Sequence, residues 1–341
     1  MKKKKVIAFV LTAFMLLSLA ACGSAGSKTE TAPAPEKTEA SSATVGTEAS
    51  SATAETETKE GGRVLGLVLL NGAIEHCQHF DEGVRDIAAK NGDEVVTLDG
   101  AYSVETINQC IEDLVAREVD GIIVDALDKE GHISSIKIAN AAGIPVVQSD
   151  NICADESVVI GMTASDNYDA GYQCGVDAAA KMEKRGEKGK AICLENPGAP
   201  APEARLEGFL KACEDNDIEI LAVQPGAGTE AAASTTENLI QAHPEANICF
   251  CIDDPAAMGA YSSLKTAGMI PNCLVYGVDG NTENKELIAS GEIAGTVQQD
   301  PFLMGQTSAE FFYSYWANED YEFNITLPIT FINSDNVADY L

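Results

Sequence analysis

The sequence predicts an α/β protein made of two doubly wound parallel-sheet lobes. Three observations lead there. From Arg63 onward, short aliphatic runs alternate with helical stretches, the pattern of parallel strands joined by crossover helices. Runs such as Val64 to Leu70 are apolar without a break, as strands buried on both faces must be. The alternation also continues past the span of one sheet, and a chain of 341 residues exceeds a single domain of about 100–200 residues.

In order, strand Val64–Leu70 leads to a helical stretch near Phe80 to Lys90 that stops at Asn91-Gly92. Strand Glu94 to Leu98, a helix from Val104 to Arg117 and strand Gly121 to Asp125 follow. A helix then runs to Ala142, with Gly143 as its stop, and the strand Pro145 to Ser149 ends the first series. After Asp166 the rhythm repeats: a helix to Lys184, strand Ala191 to Leu194, helix Glu203 to Asn216 and strand Glu219 to Gln224. Helix Glu230 to Ala242, strand Asn247 to Ile252, helix Ala256 to Ala267, strand Leu274 to Val278 and helix Glu283 to Ser290 complete it.

Polar residues close these strands: Asp125, Ser149-Asp150-Asn151, Glu195-Asn196, Asp253-Asp254, Asp279 and Gln298-Gln299-Asp300. Ligands of open α/β sheets bind beyond the carboxyl ends of strands, so these ends predict a cleft rich in hydrogen-bond acceptors. Taken singly, each Asp or Asn could equally cap the helix that follows it.

The first sixty residues are of another kind. Met1 to Lys5 is basic, Val6 to Leu17 is an apolar run too short to span a bilayer comfortably, and Leu19-Ala20-Ala21-Cys22-Gly23 follows. That tetrad resembles the bacterial lipobox, which implies a 21-residue lipoprotein signal (residues 1–21) and a mature chain lipidated at Cys22. The alternative is an ordinary secretory signal with Cys22 incidental. Residues 22–62 hold a single Val and no other large aliphatic or aromatic residue, and repeat Glu-Ala-Ser-Ser-Ala-Thr from Glu39 and Glu48. They are expected to form a disordered Ser/Thr/Ala/Glu-rich tether, roughly 35 Å end to end as a flexible coil. The net charge is −31, and four of the 22 Lys and Arg residues sit in the Lys2 to Lys5 block. A surface this acidic repels phosphate backbones, which argues against nucleic acid and leaves the lipid as the only expected tie to the membrane.

Several motifs inside the body carry a family resemblance: Ala142-Gly-Ile-Pro-Val-Val147 leading to Asp150, Thr163-Ala-Ser-Asp-Asn167, Arg205-Leu-Glu-Gly-Phe209, Asp253-Asp254, Tyr276-Gly-Val-Asp-Gly280 and Gly295-Thr-Val-Gln-Gln299. Their order and spacing resemble the ribose-binding group of type I periplasmic sugar-binding proteins across Arg63 to Leu341. The resemblance implies a non-enzymatic protein with a three-crossing hinge between lobes, residues 63–166 plus 300–330 in one and 167–299 plus 331–341 in the other. It also implies a monomer that takes a small-molecule carbohydrate in the cleft and delivers it to an ABC permease, with no cofactor, on the extracytoplasmic face of the cell membrane. By position, Asp150, Arg205, Asp253, Asp279 and Gln299 fall where the family hydrogen-bonds sugar hydroxyls, a chemistry that carboxylate acceptors and a guanidinium donor suit.

The departures concern the ligand. Asn151 stands where ribose binders carry a basic residue, Ile74 to Cys77 replaces an aromatic stretch, with His76 either a ligand contact or a loop residue with structural contacts alone, and Gly226 to Gly228 replaces a further aromatic. Arg205 has a competing reading as a helix-face ion pair with Glu203 or Glu207, and Arg205→Ala is expected to abolish binding with little effect on the empty protein's stability.

Other signals are weaker. Gly226-Ala-Gly-Thr-Glu-Ala231 fits a dinucleotide fingerprint but opens the middle of a lobe instead of its first strand–helix unit. His76-Cys77-Gln78-His79 and Cys249-Phe-Cys251 fall short of a four-ligand metal site, and no catalytic elbow or triad is recognisable, so neither metal nor catalysis is expected. Nine cysteines remain after Cys22, an odd number that forbids complete internal pairing and fits buried free thiols in a reducing exterior. A ligand-sensing lipoprotein that reports to a membrane receptor has the same sequence features and is the alternative to import.

Overall fold

The computed structural model describes residues 62–341; the signal segment, Cys22 and nearly all of the tether lie outside the described residues. β1 (Val64–Leu69), β2 (Glu94–Asp99), β3 (Gly121–Asp125), β4 (Val146–Ser149), β5 (Gly161–Ser165) and β11 (Asn324–Leu327) form one sheet in the order β11-β5-β4-β3-β1-β2. β6 (Lys190–Glu195), β7 (Glu219–Pro225), β8 (Ile248–Phe250), β9 (Leu274–Asp279), β10 (Gly295–Gln298) and β12 (Thr330–Asn333) form the second, ordered β12-β10-β9-β8-β6-β7. Pairing is parallel throughout except between β10 and β12. Each sheet therefore starts in its middle and winds out both ways, which leaves a crevice at the carboxyl ends where the direction reverses, between β1 and β3 and between β6 and β8.

The helices are α1 (Glu75–Asn91), α2 (Val104–Ala116), α3 (Ile133–Ala141), α4 (Asn167–Arg185), α5 (Pro200–Asp215), α6 (Thr229–Ala242), α7 (Asp254–Thr266), α8 (Thr282–Ala289) and α9 (Pro301–Ala317). Among the described residues none is long and apolar enough to cross a membrane. Local chemistry sets their ends: the side chains of Ser103, Asp166, Asp253 and Asp300 cap α2, α4, α7 and α9, and Gly92 and Gly186 close α1 and α4 in the left-handed conformation.

The chain passes between the sheets three times, after β5, after β10 and between β11 and β12. Each sheet has its own core. In the first, Leu65, Leu67, Phe80 and Val84 close against Met304, Phe311 and Phe312 of α9, while Ile107, Ile111 and Ile122 fill the opposite face. In the second, Phe209 and Phe250 stack with ring centroids 4.3 Å apart among Leu194, Tyr276 and Val278.

The sequence reading names neither α9 nor β11 and β12, starts α5 at Glu203 where it begins at Pro200, and misses three further features. α1 starts at Glu75, ahead of the expected Phe80, because its N-cap is Ile74, which offers no side-chain cap to read. β5, Gly-Met-Thr-Ala-Ser, lacks the β-branched aliphatic run of its neighbours although all five residues are buried. β8 is three residues long, and the rest of the apolar run, Cys251 and Ile252, is buried beyond its end.

Gly208, in the middle of the Arg205-to-Phe209 motif, shows why a glycine stands there. A Cβ on it would lie 1.9 Å from the Tyr168 carbonyl oxygen, so α4 and α5 pack backbone to backbone at that point. Gly208→Ala is expected to lower stability by about 1–3 kcal/mol, read as a shift in the urea midpoint; an unchanged midpoint would mean the helices separate freely.

Candidate functional site

The carboxyl ends of both sheets face one another around a cavity of about 70 Å³. From the first sheet, β3 brings Asp125, the turn after β4 brings Asp150 and Asn151, the segment entering α1 brings His76 and Cys77, and the loop after β2 brings Tyr102. From the second, α5 brings Arg205, the end of β8 brings Asp253, β9 brings Asp279 and the end of β10 brings Gln299. All seven residues predicted to contact a ligand, Asp150, Asn151, Arg205, Asp253, Asp279, Gln299 and His76, thus line the same cavity.

Arg205 is the organising group. It is 4% exposed; its Nε donates to Asn167 Oδ1 at 2.7 Å, its Nη1 donates to the Ile252 carbonyl at 2.9 Å, and Nη1 lies 3.5 Å from Asp279 Oδ1. The helix-face alternative does not hold: Glu203 instead pairs with Lys129 at 3.4 Å and accepts from Gly198 N–H. Three protein acceptors use this guanidinium, so Arg205→Ala is now expected to lower the empty protein's stability as well as to abolish binding.

Asp279 accepts from Gln299 Nε2 at 2.8 Å and sits at φ 137°, and Asp150 sits at φ 64°. With Tyr102 at φ 56°, three cavity residues hold backbone conformations that side-chain-bearing residues rarely adopt. Such strain persists where the surroundings fix a side chain's direction, and here it accompanies residues that line the cavity. Gly277, two residues before Asp279, has its own reason: a Cβ there would lie 2.2 Å from Asp254 Oδ1. Buried Asp254 accepts from Thr296 and Asn284 side chains at 2.7 and 2.8 Å and from Asn281 N–H at 2.7 Å, and so ties β10 and the start of α8 to α7 behind the wall.

Asp253 resolves the choice between cap and cavity, since it does both: Oδ1 accepts from Ala256 N–H at 2.7 Å while the residue lines the cavity. Asn151 is committed to protein. Its Nδ2 donates to the Ala126 carbonyl at 2.7 Å, and its Oδ1 accepts from Ala201 N–H of the opposite body at 2.9 Å. A second contact across the cleft joins Glu75 Oε1 to the Thr282 hydroxyl at 2.9 Å.

The carboxylates raise one another. Burial and Asp150 push Asp125 up to about 6, burial and Asp279 push Asp253 up to about 7, and burial and Asp279 push Asp254 up to about 8. Burial raises Asp279 to about 6, with Asp150 adding to it and Arg205 opposing. Buried polar atoms without a protein partner remain at Asp150 Oδ1, Gln299 Oε1 and His76 Nδ1, all on cavity residues.

Sequence reasoning placed Asp125 at a strand end without assigning it to the site. It accepts from Leu70 N–H at 3.1 Å and from the Cys77 thiol at 3.3 Å, and so sits at the β1/β3 switch point. Tyr102 carried no periodic signal; only its place past Gly100, at the carboxyl end of β2, could have suggested it. The fingerprint-like Gly226 to Gly228 contributes only Ala227 to the wall. His79 lies outside the cavity, pairing with Glu82 on the surface, and among the described residues no group of His, Cys, Asp and Glu is arranged to hold a metal. The nine described cysteines are free, with Cys249 and Cys251 side by side in the core at 3.9 Å.

A model of the periplasmic binding protein domain matches residues 65–320. The chain belongs to the periplasmic binding protein family. It is 30% identical over 231 residues to the ribose import binding protein of Bacillus subtilis (strain 168), which covers 67% of this chain and 73% of that one. Against the ribose import binding protein of Escherichia coli (strain K12) the identity is 31% over 231 residues, with 67% and 76% covered. Among solved structures, an ABC transporter periplasmic solute binding protein from Actinobacillus succinogenes 130z, with bound D-allose, matches at TM-score 0.75 and 25% identity over 82% of this chain and all of that one. The carbohydrate transporter solute binding protein from Agrobacterium radiobacter, in complex with D-arabinose, matches in fold at TM-score 0.77 with 20% identity, over 82% of this chain and 97% of that one. As a type I periplasmic binding protein, the chain is a solute-binding component of ABC import and not an enzyme.

Proposed function

We propose that this periplasmic binding protein is the extracytoplasmic, lipid-anchored receptor of an ABC importer, that it acts as a monomer, and that it binds a sugar or related polyol between its lobes for delivery to a membrane permease. One observation carries this: side chains from both sheets converge on one cavity in which a guanidinium stands among several carboxylates, Arg205 lying 3.5 Å from Asp279 with Asp253 and Asp150 on the same walls. Hydroxyls both donate and accept, so this mixture suits a polyol. The names of two relatives, a ribose import binding protein and a solute binding protein with bound D-allose, support the same class. Residues 63–166 with 300–330, and 167–299 with 331–341, would then close about the three crossings, because a ligand touching both walls favours the closed form. The anchor rests on the lipobox-like Leu19 to Cys22.

The test is a thermal-shift screen of the purified protein against pentoses, hexoses and polyols. A single-site ligand at a hundredfold excess over its Kd should stabilise by about 2.7 kcal/mol. Asp279→Asn should weaken the same ligand about tenfold or more, since a charge-assisted hydrogen bond becomes an ordinary one. No shift with any carbohydrate would overturn the reading.

A further inference from the structure

The charges on the cavity wall do not balance. Asp125, Asp150, Asp253 and Asp279 all line it, and among the described residues Arg205 is the only Lys or Arg that does. Arg205 stands against Asp279, so the Asp125 and Asp150 side of the cavity has no guanidinium or ammonium in contact. His76 lines the wall near them and favours the ionised form of Asp125, with its Nδ1 unpartnered. Carboxylates removed from water need a partner of opposite charge or several donors.

Hydrogen-bond capacity points the same way. The amide of Asn151 is taken up by Ala126 and Ala201, and Gln299 Nε2 by Asp279. Gln299 is 3% exposed and keeps a buried Oε1 with no donor, and Asp150 Oδ1 is in the same condition. Two buried acceptors on the wall, Asp150 Oδ1 and Gln299 Oε1, are thus left for donors that the ligand brings. A hydroxyl answers an acceptor but brings lone pairs that need donors in turn; an ammonium brings three donors and no lone pair. A bare metal ion would need convergent ligands, and among the described residues none are so arranged.

We propose that the ligand is a polyol frame bearing a protonated primary amine, an amino sugar or aminocyclitol, with its ammonium received by Asp125, Asp150 and the carbonyl oxygen of Gln299. This rests on the carbohydrate reading above and narrows it.

The test is titration calorimetry of the purified protein at neutral pH with matched sets that differ at one substituent: D-glucosamine, D-glucose and N-acetyl-D-glucosamine, the corresponding galactose and mannose sets, and scyllo-inosamine beside scyllo-inositol. In at least one set the amine should bind about 10- to 100-fold more tightly than the hydroxyl compound, the worth of a buried charge-assisted contact, and the neutral N-acetyl form should lose that advantage. Asp150→Asn should shrink the preference about tenfold; the wild-type comparison stands even where this variant folds poorly. A neutral sugar that binds as tightly as its amine overturns the ammonium inference and leaves the carbohydrate reading intact. If no member of any set binds, the ammonium inference falls, and the carbohydrate reading is decided by the pentose and polyol arms of the thermal-shift screen.

Discussion

Replacing Arg205 with methionine lowers the unfolding free energy of the ligand-free protein by about 3–5 kcal/mol, the usual result of removing one partner from a buried ion pair. The loss has identifiable parts. Asn167 Oδ1 and the Ile252 carbonyl lose donors at 2.7 and 2.9 Å, and Asp279 loses the guanidinium 3.5 Å away. Urea unfolding of wild type, Arg205→Met, Asp279→Asn and the double variant would measure it. The coupling between the two sites should exceed about 1 kcal/mol, because neighbours in one charge network are not additive. A single-variant loss below about 0.5 kcal/mol would show that the guanidinium serves the ligand alone. Ligand binding is expected to disappear in either case.

Lowering the pH from 8 to about 5 makes the ligand-free protein more stable. Asp125, Asp253, Asp254 and Asp279 titrate at about 6, 7, 8 and 6 in the fold, whereas an unfolded Asp titrates near about 3.9. Across that window the folded chain holds protons that the unfolded chain has released, so stability rises as pH falls; it is fully gained below the unfolded value and lost as pH climbs through the folded ones. The groups are coupled, and together they should contribute on the order of a few kcal/mol, seen as a melting midpoint several degrees higher at pH 5 than at pH 8. Relief of self-repulsion in a chain of charge −31 acts in the same direction. The trend reverses in stronger acid, because hydrogen bonds from Lys90 and Lys211 hold Asp86 and Asp215 below the usual carboxylate range and their stabilisation is lost on protonation. A flat or falling midpoint between pH 8 and 5 would show that these carboxylates are not buried together in solution.

Much of this was legible in the residues, for physical reasons. Leu65, Leu67, Ile122, Ile123, Val275 and Val278 announce strands because both faces of a parallel sheet are covered. The same geometry makes strand ends polar where a cleft opens, so Asp253 and Asp279 could be read before any coordinates. What escaped lay outside those two rules. β5 is buried through small and weakly apolar side chains, and α1 begins on an uncapped Ile74. Tyr102 reaches the cavity through a left-handed turn, which no side-chain pattern encodes. The partners of Arg205 were hidden because Asn167 and Ile252 are distant in sequence and meet the guanidinium only after α4 and α5 have packed across Gly208.

The three passages of the chain between sheets also dictate an order of events. The first sheet lacks its edge strand until Asn324–Leu327 has been made, and the apolar face of α1 has no cover until α9 exists. During synthesis, Leu65, Phe80 and Val84 must wait more than two hundred residues for Met304 and Phe312. The second sheet waits less, since its five parallel strands lie between residues 190 and 298. Its own edge strand β12, Thr330–Asn333, comes last of all, but the apolar faces of β1 and α1 are the ones left uncovered longest, and their contacts with α9 are among the longest in sequence, the kind that form slowly.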